Sequence, residues 1–206
     1  MPVAGAILVA ALTAAGTGHR ERVQAAMVVL EALCPLGTAM AVLSQLGRDP
    51  GIELVLSTPT SYRSVITLRT GLIVGVGVAA TLLTAVGLWA TGLLPSTVGA
   101  AGVIMIWAAP MVCLAGLGLF VGVATTSSAA ASGAVGCLWL GEAILRGEFI
   151  ENPALRPVYL FATVSRFPDG AWWANRAGLV ATGAVALVAA GVVLRRAVRL
   201  LAKEAS

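Results

Sequence analysis

Few side chains in this 206-residue chain could do chemistry, and their placement narrows what that chemistry can be. Glu31 and Glu142 each stand inside a long apolar run. A carboxylate in hydrocarbon is expensive to hold, so it marks a substrate path, a proton relay or a buried pair. Arg146 lies one helical turn beyond Glu142 and offers it a partner near the end of the run. Glu31 has no comparable neighbour, since Arg22 is about two and a half turns back. Both carboxylates are candidates to face a shared cavity, with a local ion pair as the competing reading for Glu142.

The other reactive residue types exclude most catalysis. Asp49 and Asp169 are the only aspartates and fall on opposite sides of the bilayer in a six-span topology, so no acid dyad is expected. His19 is the sole histidine, and Cys34, Cys113 and Cys137 are odd in number with no CxxC spacing. That leaves no metal-ligand set and no nucleophile–base pair. The cysteines lie in apolar runs and read as small buried hydrophobes. Trp89, Trp107 and Trp139 read as packing residues or interfacial anchors. No GxxxxGK[ST] occurs and the one lysine is Lys203, so a P-loop is excluded. An enzyme is not expected.

The elements that must position these residues are membrane spans. Hydrophobic residues make up 59% of the chain and charged residues 11%, with a mean hydropathy of +0.96. A soluble domain carries about 25% charged residues to cover its surface. Here the apolar residues come in blocks long enough to cross a bilayer, not as amphipathic stripes. The net charge of +4 comes from basic residues beside these blocks, where they anchor helices at headgroup level. No aromatic-interleaved basic patch is present, and no nucleic acid partner is expected.

The fold class is an all-α membrane protein, one transmembrane domain over 1–206 with six spans at about 2–18, 23–46, 65–91, 97–124, 129–145 and 177–194. The first has no basic residues ahead of it and reads as a retained helix, not a signal peptide. The second is interrupted by Glu31 and by a break at Pro35-Leu36-Gly37, and the fourth holds Pro110, which should kink it. Thr125–Ser128 forms a short hinge between the fourth and fifth spans. The stretch 147–175 is too broken by Pro153, Pro157 and Pro168 to span, and too apolar for an ordinary loop. It reads as re-entrant or interfacial helices, with Trp172 and Trp173 as headgroup anchors. Counting basic residues on alternate sides gives seven against six, so charge asymmetry leaves the orientation open.

The polar segment between the second and third spans has its own grammar. Asp49-Pro50 is a helix start, with an N-cap acceptor followed by proline at the first helical position. Ile52, Leu54, Val55 and Leu56 make a short apolar helix carrying Glu53 and ending at Ser57. Thr58-Pro59 then starts a second helix that runs through Tyr62 and Arg63 into the third span. The product is a short surface helix joined to a transmembrane one.

Glu53-Leu54-Val55-Leu56-Ser57-Thr58-Pro59 resembles the loop between the second and third spans of ABC-2 type transporter permeases. The layout resembles that family too: six spans, a tiny fourth-to-fifth connection, and a broken apolar stretch approaching the last span through Trp172-Trp173-Ala174-Asn175-Arg176. The family's usual amphipathic helix ahead of the first span is not seen, since apolar sequence begins at Val3. The resemblance implies a permease subunit, an exporter, that pairs with a second permease subunit and is driven by cytoplasmic ABC ATPase subunits. Asp49, Glu53, Leu54, Ser57, Thr58, Pro59, Tyr62 and Arg63 would contact the ATPase through a coupling helix. ATP and magnesium would sit on that partner, with no cofactor on this chain. The coupling segment would then be cytoplasmic, both termini too, and the chain a multi-pass protein of the cell membrane. Glu31 and Glu142 would line the pathway of a small or amphiphilic substrate, so that Glu31→Gln impairs transport without reducing assembly. The alternative is a membrane scaffold or interaction subunit that transports nothing, which Gly- and Ala-rich spans would suit through close packing.

Overall fold

The structure, a computed structural model, describes residues 18–46, 62–94, 99–165, 167 and 169–204. The expected first span at 2–18 lies outside these residues except for Gly18, and so does the segment 47–61 with Asp49, Glu53, Leu54, Ser57, Thr58 and Pro59. Tyr62 and Arg63 are the first backbone positions of a helix that continues into the third span.

Every regular element among the described residues is helical. α1 (His19–Val28), a π-helical turn (Val29–Leu33) and α2 (Cys34–Leu43) make one continuous run, closed by a 3-10 turn at Ser44–Leu46. α3 is Tyr62–Ala90, α4 is Ala100–Thr125 and α5 is Ser128–Ile144. The short α6 (Arg146–Glu151) and a 3-10 turn at Arg156–Val158 precede the long α7 (Asp169–Glu204). His19–Leu43, Leu68–Ala90, Ala100–Thr125 and Gly170–Leu194 are long and apolar enough to cross a bilayer. α5 is apolar but has 17 residues, which at 1.5 Å per residue reaches roughly 25 Å of a ~30 Å core. The protein is a membrane-embedded helical bundle, with four of the six expected spans meeting the length of a crossing.

Local sequence explains the irregularities. The helix does not break at Pro35-Leu36-Gly37. Proline has no N–H, so the Glu31 carbonyl four residues back loses its ordinary helical donor. The chain answers with the wide turn just upstream, where the Cys34 N–H reaches Val29 O. α4 likewise runs through Pro110. The hinge is two residues long: Thr126 adopts φ 53, and the Ser127 hydroxyl accepts from Ala130 N–H at 3.2 Å to cap α5.

One apolar cluster joins Ala26, Met27 and Leu30 of the first run to Leu88 and Leu93 at the end of α3 and to Ile106 and Trp107 early in α4. The start of α1, the end of α3 and the start of α4 therefore share one side, as alternating crossings require. Trp107 is buried in this cluster, which fits the packing reading, whereas Trp89 is exposed. α4 and α7 pack most closely, because glycines let their backbones meet. A Cβ on Gly183 would lie 2.5 Å from the Val112 carbonyl oxygen, and one on Gly116 would strike Gly183 itself. α3 stands at the edge and exposes Leu72, Val76, Leu83 and Val86, as a lipid-facing helix would.

Candidate functional site

Residues 152–165 turn back into the bundle, built from turns and the 3-10 turn at Arg156–Val158 in place of the expected short re-entrant or interfacial helices. Asn152 Oδ1 accepts from Ala154 N–H at 3.0 Å and closes the turn at Pro153. Arg156 Nε donates to Ile150 O at 2.8 Å. Tyr159, Leu160, Phe161 and Ala162 are then buried among α2, α4, α5 and α7. Tyr159 stacks between Phe149 and Phe167, with ring centroids 5.4 and 5.8 Å away, and Phe161 meets Trp139 edge-on at 5.6 Å.

A turn buried this way has no water for its amides, so each N–H must find an acceptor in the protein. The two intramembrane carboxylates supply three. Leu160 N–H donates to Glu142 Oε2 at 2.7 Å. Thr163 N–H donates to Glu31 Oε1 at 2.8 Å, and Val164 N–H to Glu31 Oε2 at 2.9 Å. Glu31 is the middle residue of the π turn, so the irregularity beside Pro35 sits where the carboxylate is aimed.

The start of α7 completes the site. Arg176 forms a buried ion pair with Glu31, and its Nη2 also donates to Thr163 Oγ1 at 2.9 Å. Trp172 Nε1 donates to the same hydroxyl at 2.9 Å, while its ring lies 5.1 Å beneath the Arg176 guanidinium. That π face offsets part of the cost of burying Arg176 Nε and Nη1, which have no hydrogen-bond partner. Asn175 Nδ2 donates to Arg156 O at 2.6 Å and Tyr159 O at 2.8 Å. Gly178 lets α7 touch Pro157, whose Cβ would lie 2.9 Å from an added methyl.

Glu31 and Glu142, on different helices, thus hold one turn. Glu31 is fully buried and Glu142 2% exposed, and both are engaged by backbone amides instead of by each other. The Glu142–Arg146 pair is not formed: Arg146 is exposed, and the hydrogen bond to Glu142 comes from Leu160. α7 begins at Asp169, eight residues before the expected Ala177, so Trp172, Asn175 and Arg176 are helical residues of the last span. Trp172 is a working member of the buried network, and only Trp173, 49% exposed, keeps an exposed ring. Sequence reading missed Arg176, counted there among basic residues outside the spans, and with it Thr163, Trp172 and Asn175 as site residues. The signal for the α7 residues was spacing: Trp172, Asn175 and Arg176 share one face at i, i+3 and i+4.

Compared with protein-family models, curated proteins and solved structures, the chain matches none. Its chemistry is read from the site alone. Among the described residues no group of three or more His, Cys, Asp or Glu could hold a metal ion. What the arrangement does is hold irregular backbone inside a bundle, at the end where α1 begins, α5 ends and α7 starts.

Proposed function

We propose that the chain is the permease subunit of an ATP-binding cassette transporter of the ABC-2 type, an exporter that forms its pathway as a dimer and takes its energy from a separate cytoplasmic ATPase. The observation that carries this reading is the segment Glu53–Pro59, with its acidic, apolar and Thr-Pro steps, between a helix ending near Leu46 and one running from Tyr62. The re-entrant turn ahead of the last helix and the two-residue α4–α5 hinge support it by layout. On this reading Asp49, Glu53, Leu54, Ser57, Thr58, Pro59, Tyr62 and Arg63 form the ATPase contact, and ATP and magnesium bind the partner. The coupling segment and both termini face the cytoplasm, and the membrane is that of the cell. Glu31 and Glu142 act on the pathway through the turn they hold, and a small or amphiphilic molecule passes beside it.

The test is reconstitution in lipid with a P-loop ATPase encoded beside this chain's gene. The expected result is co-purification and a several-fold rise in ATP turnover, both lost in Glu53→Lys with Tyr62→Ala while the bundle stays folded. A stable protein that binds no such ATPase would leave the scaffold reading in its place.

A further inference from the structure

The polar ties on the re-entrant turn are unevenly distributed. Glu31 takes two amides and is neutralised by Arg176, and Thr163 Oγ1 accepts from both Trp172 and Arg176. Asn175 adds two bonds to carbonyls of the same segment. All of these come from the π turn or from α7. α5 contributes one hydrogen bond, Leu160 N–H to Glu142, and among the described residues no cation lies within ion-pair distance of Glu142. α5 also buries only Ala131, Val135 and Glu142. Its remaining links to the turn, Trp139 against Phe161 and the core cluster that Ala131 and Val135 share with Tyr159–Ala162, are apolar contacts without hydrogen-bond direction.

We propose that α5 is the separable wall of this site: it parts from the re-entrant turn at the Glu142–Leu160 bond, while the turn stays fixed to the π turn and α7. Chains of packed, hydrogen-bonded groups move as units, and local openings begin where the fewest buried contacts must break. The turn, Glu31, Trp172, Asn175 and Arg176 form one such unit. Of the three elements whose side chains hydrogen-bond residues 159–164 (the π turn, α5 and α7), α5 has the fewest such bonds to lose. This parting belongs to the resting protein in lipid, whether or not the chain transports anything.

Residue-resolved amide hydrogen exchange on the full chain in lipid nanodiscs reads it directly. The Leu160 amide should exchange about tenfold faster than those of Thr163 and Val164, although Leu160 is buried and the other two are only half-buried. Glu142→Ala should speed Leu160 by about a further tenfold and leave Thr163 and Val164 within about threefold of their original rates. Equal protection of the three amides in the unaltered protein would overturn the proposal, and that comparison needs no variant to fold. Loss of protection at all three together in Glu142→Ala would also overturn it, by making α5 and the turn one cooperative unit.

Discussion

Glu31 gives both oxygens to the Thr163 and Val164 amides and shares one with Arg176, so removing its charge strands a buried guanidinium. Breaking a buried pair from one side costs about 3–5 kcal/mol. Glu142 has a single described partner, and glutamine would keep an acceptor for it, so its replacement should cost about 1 kcal/mol or less. Glu31→Gln should therefore lower the thermal unfolding midpoint in detergent far more than Glu142→Gln does. Equal losses would show that Arg176 is held by something other than Glu31. With Arg176 and two amides on this carboxylate, the stability and assembly of Glu31→Gln have to be measured before any change in function is assigned to the lost charge.

At the scale of elements, glycine placement decides how closely helices approach. Gly183 faces the Val112 carbonyl and the backbone of Cys113, neither of which can swing aside as a side chain could. Gly183→Val should cost about 1–3 kcal/mol or more through overpacking and loosen α4 from α7. Gly191, on the same helix, has nothing within 4 Å of an added methyl. There Gly191→Ala should be neutral or stabilising by up to about 1 kcal/mol, the helix-propensity difference. Protease resistance of the two variants after graded heating separates them, and matching profiles would mean that the α4–α7 contact is not close. The π turn belongs to this scale too: a proline four residues after Glu31 displaces the local hydrogen-bond register, and the carboxylate sits in the widened turn.

For the whole molecule, a bundle whose helices cross alternately, α5 included, would put the α4–α5 hinge on one side of the membrane and Gly92 and Asn152 on the other. On the proposed orientation the hinge is cytoplasmic. With Cys34, Cys113 and Cys137 replaced, a cysteine at Ser127 should escape an impermeant maleimide in intact cells and react in inverted vesicles. Cysteines at Gly92 or Asn152 should behave the opposite way. The reverse pattern would place 47–61 outside and remove the ATPase contact. Labelling of all three sites from one side would contradict the alternating bundle itself.

Hydropathy is a local property, and it alone placed the helices: the expected spans at 23–46, 65–91, 97–124 and 129–145 overlap α1 to α5 to within a few residues at most ends. The Thr125–Ser128 hinge was legible for the same reason, since a serine cap and a left-handed residue act over one turn. Both intramembrane carboxylates stood out because their cost is paid wherever they go. What they hold could not be read there. Glu31 and Arg176 are 145 positions apart, and Glu142 and Leu160 are 18 apart across a proline-broken stretch. Which amide meets which carboxylate depends on helix rotation and on glycines that set the distance between backbones, quantities that exist only once the bundle has packed. The sequence determined that this is a helical membrane protein with two costly charges; the tertiary structure decided that those charges clamp a re-entrant turn.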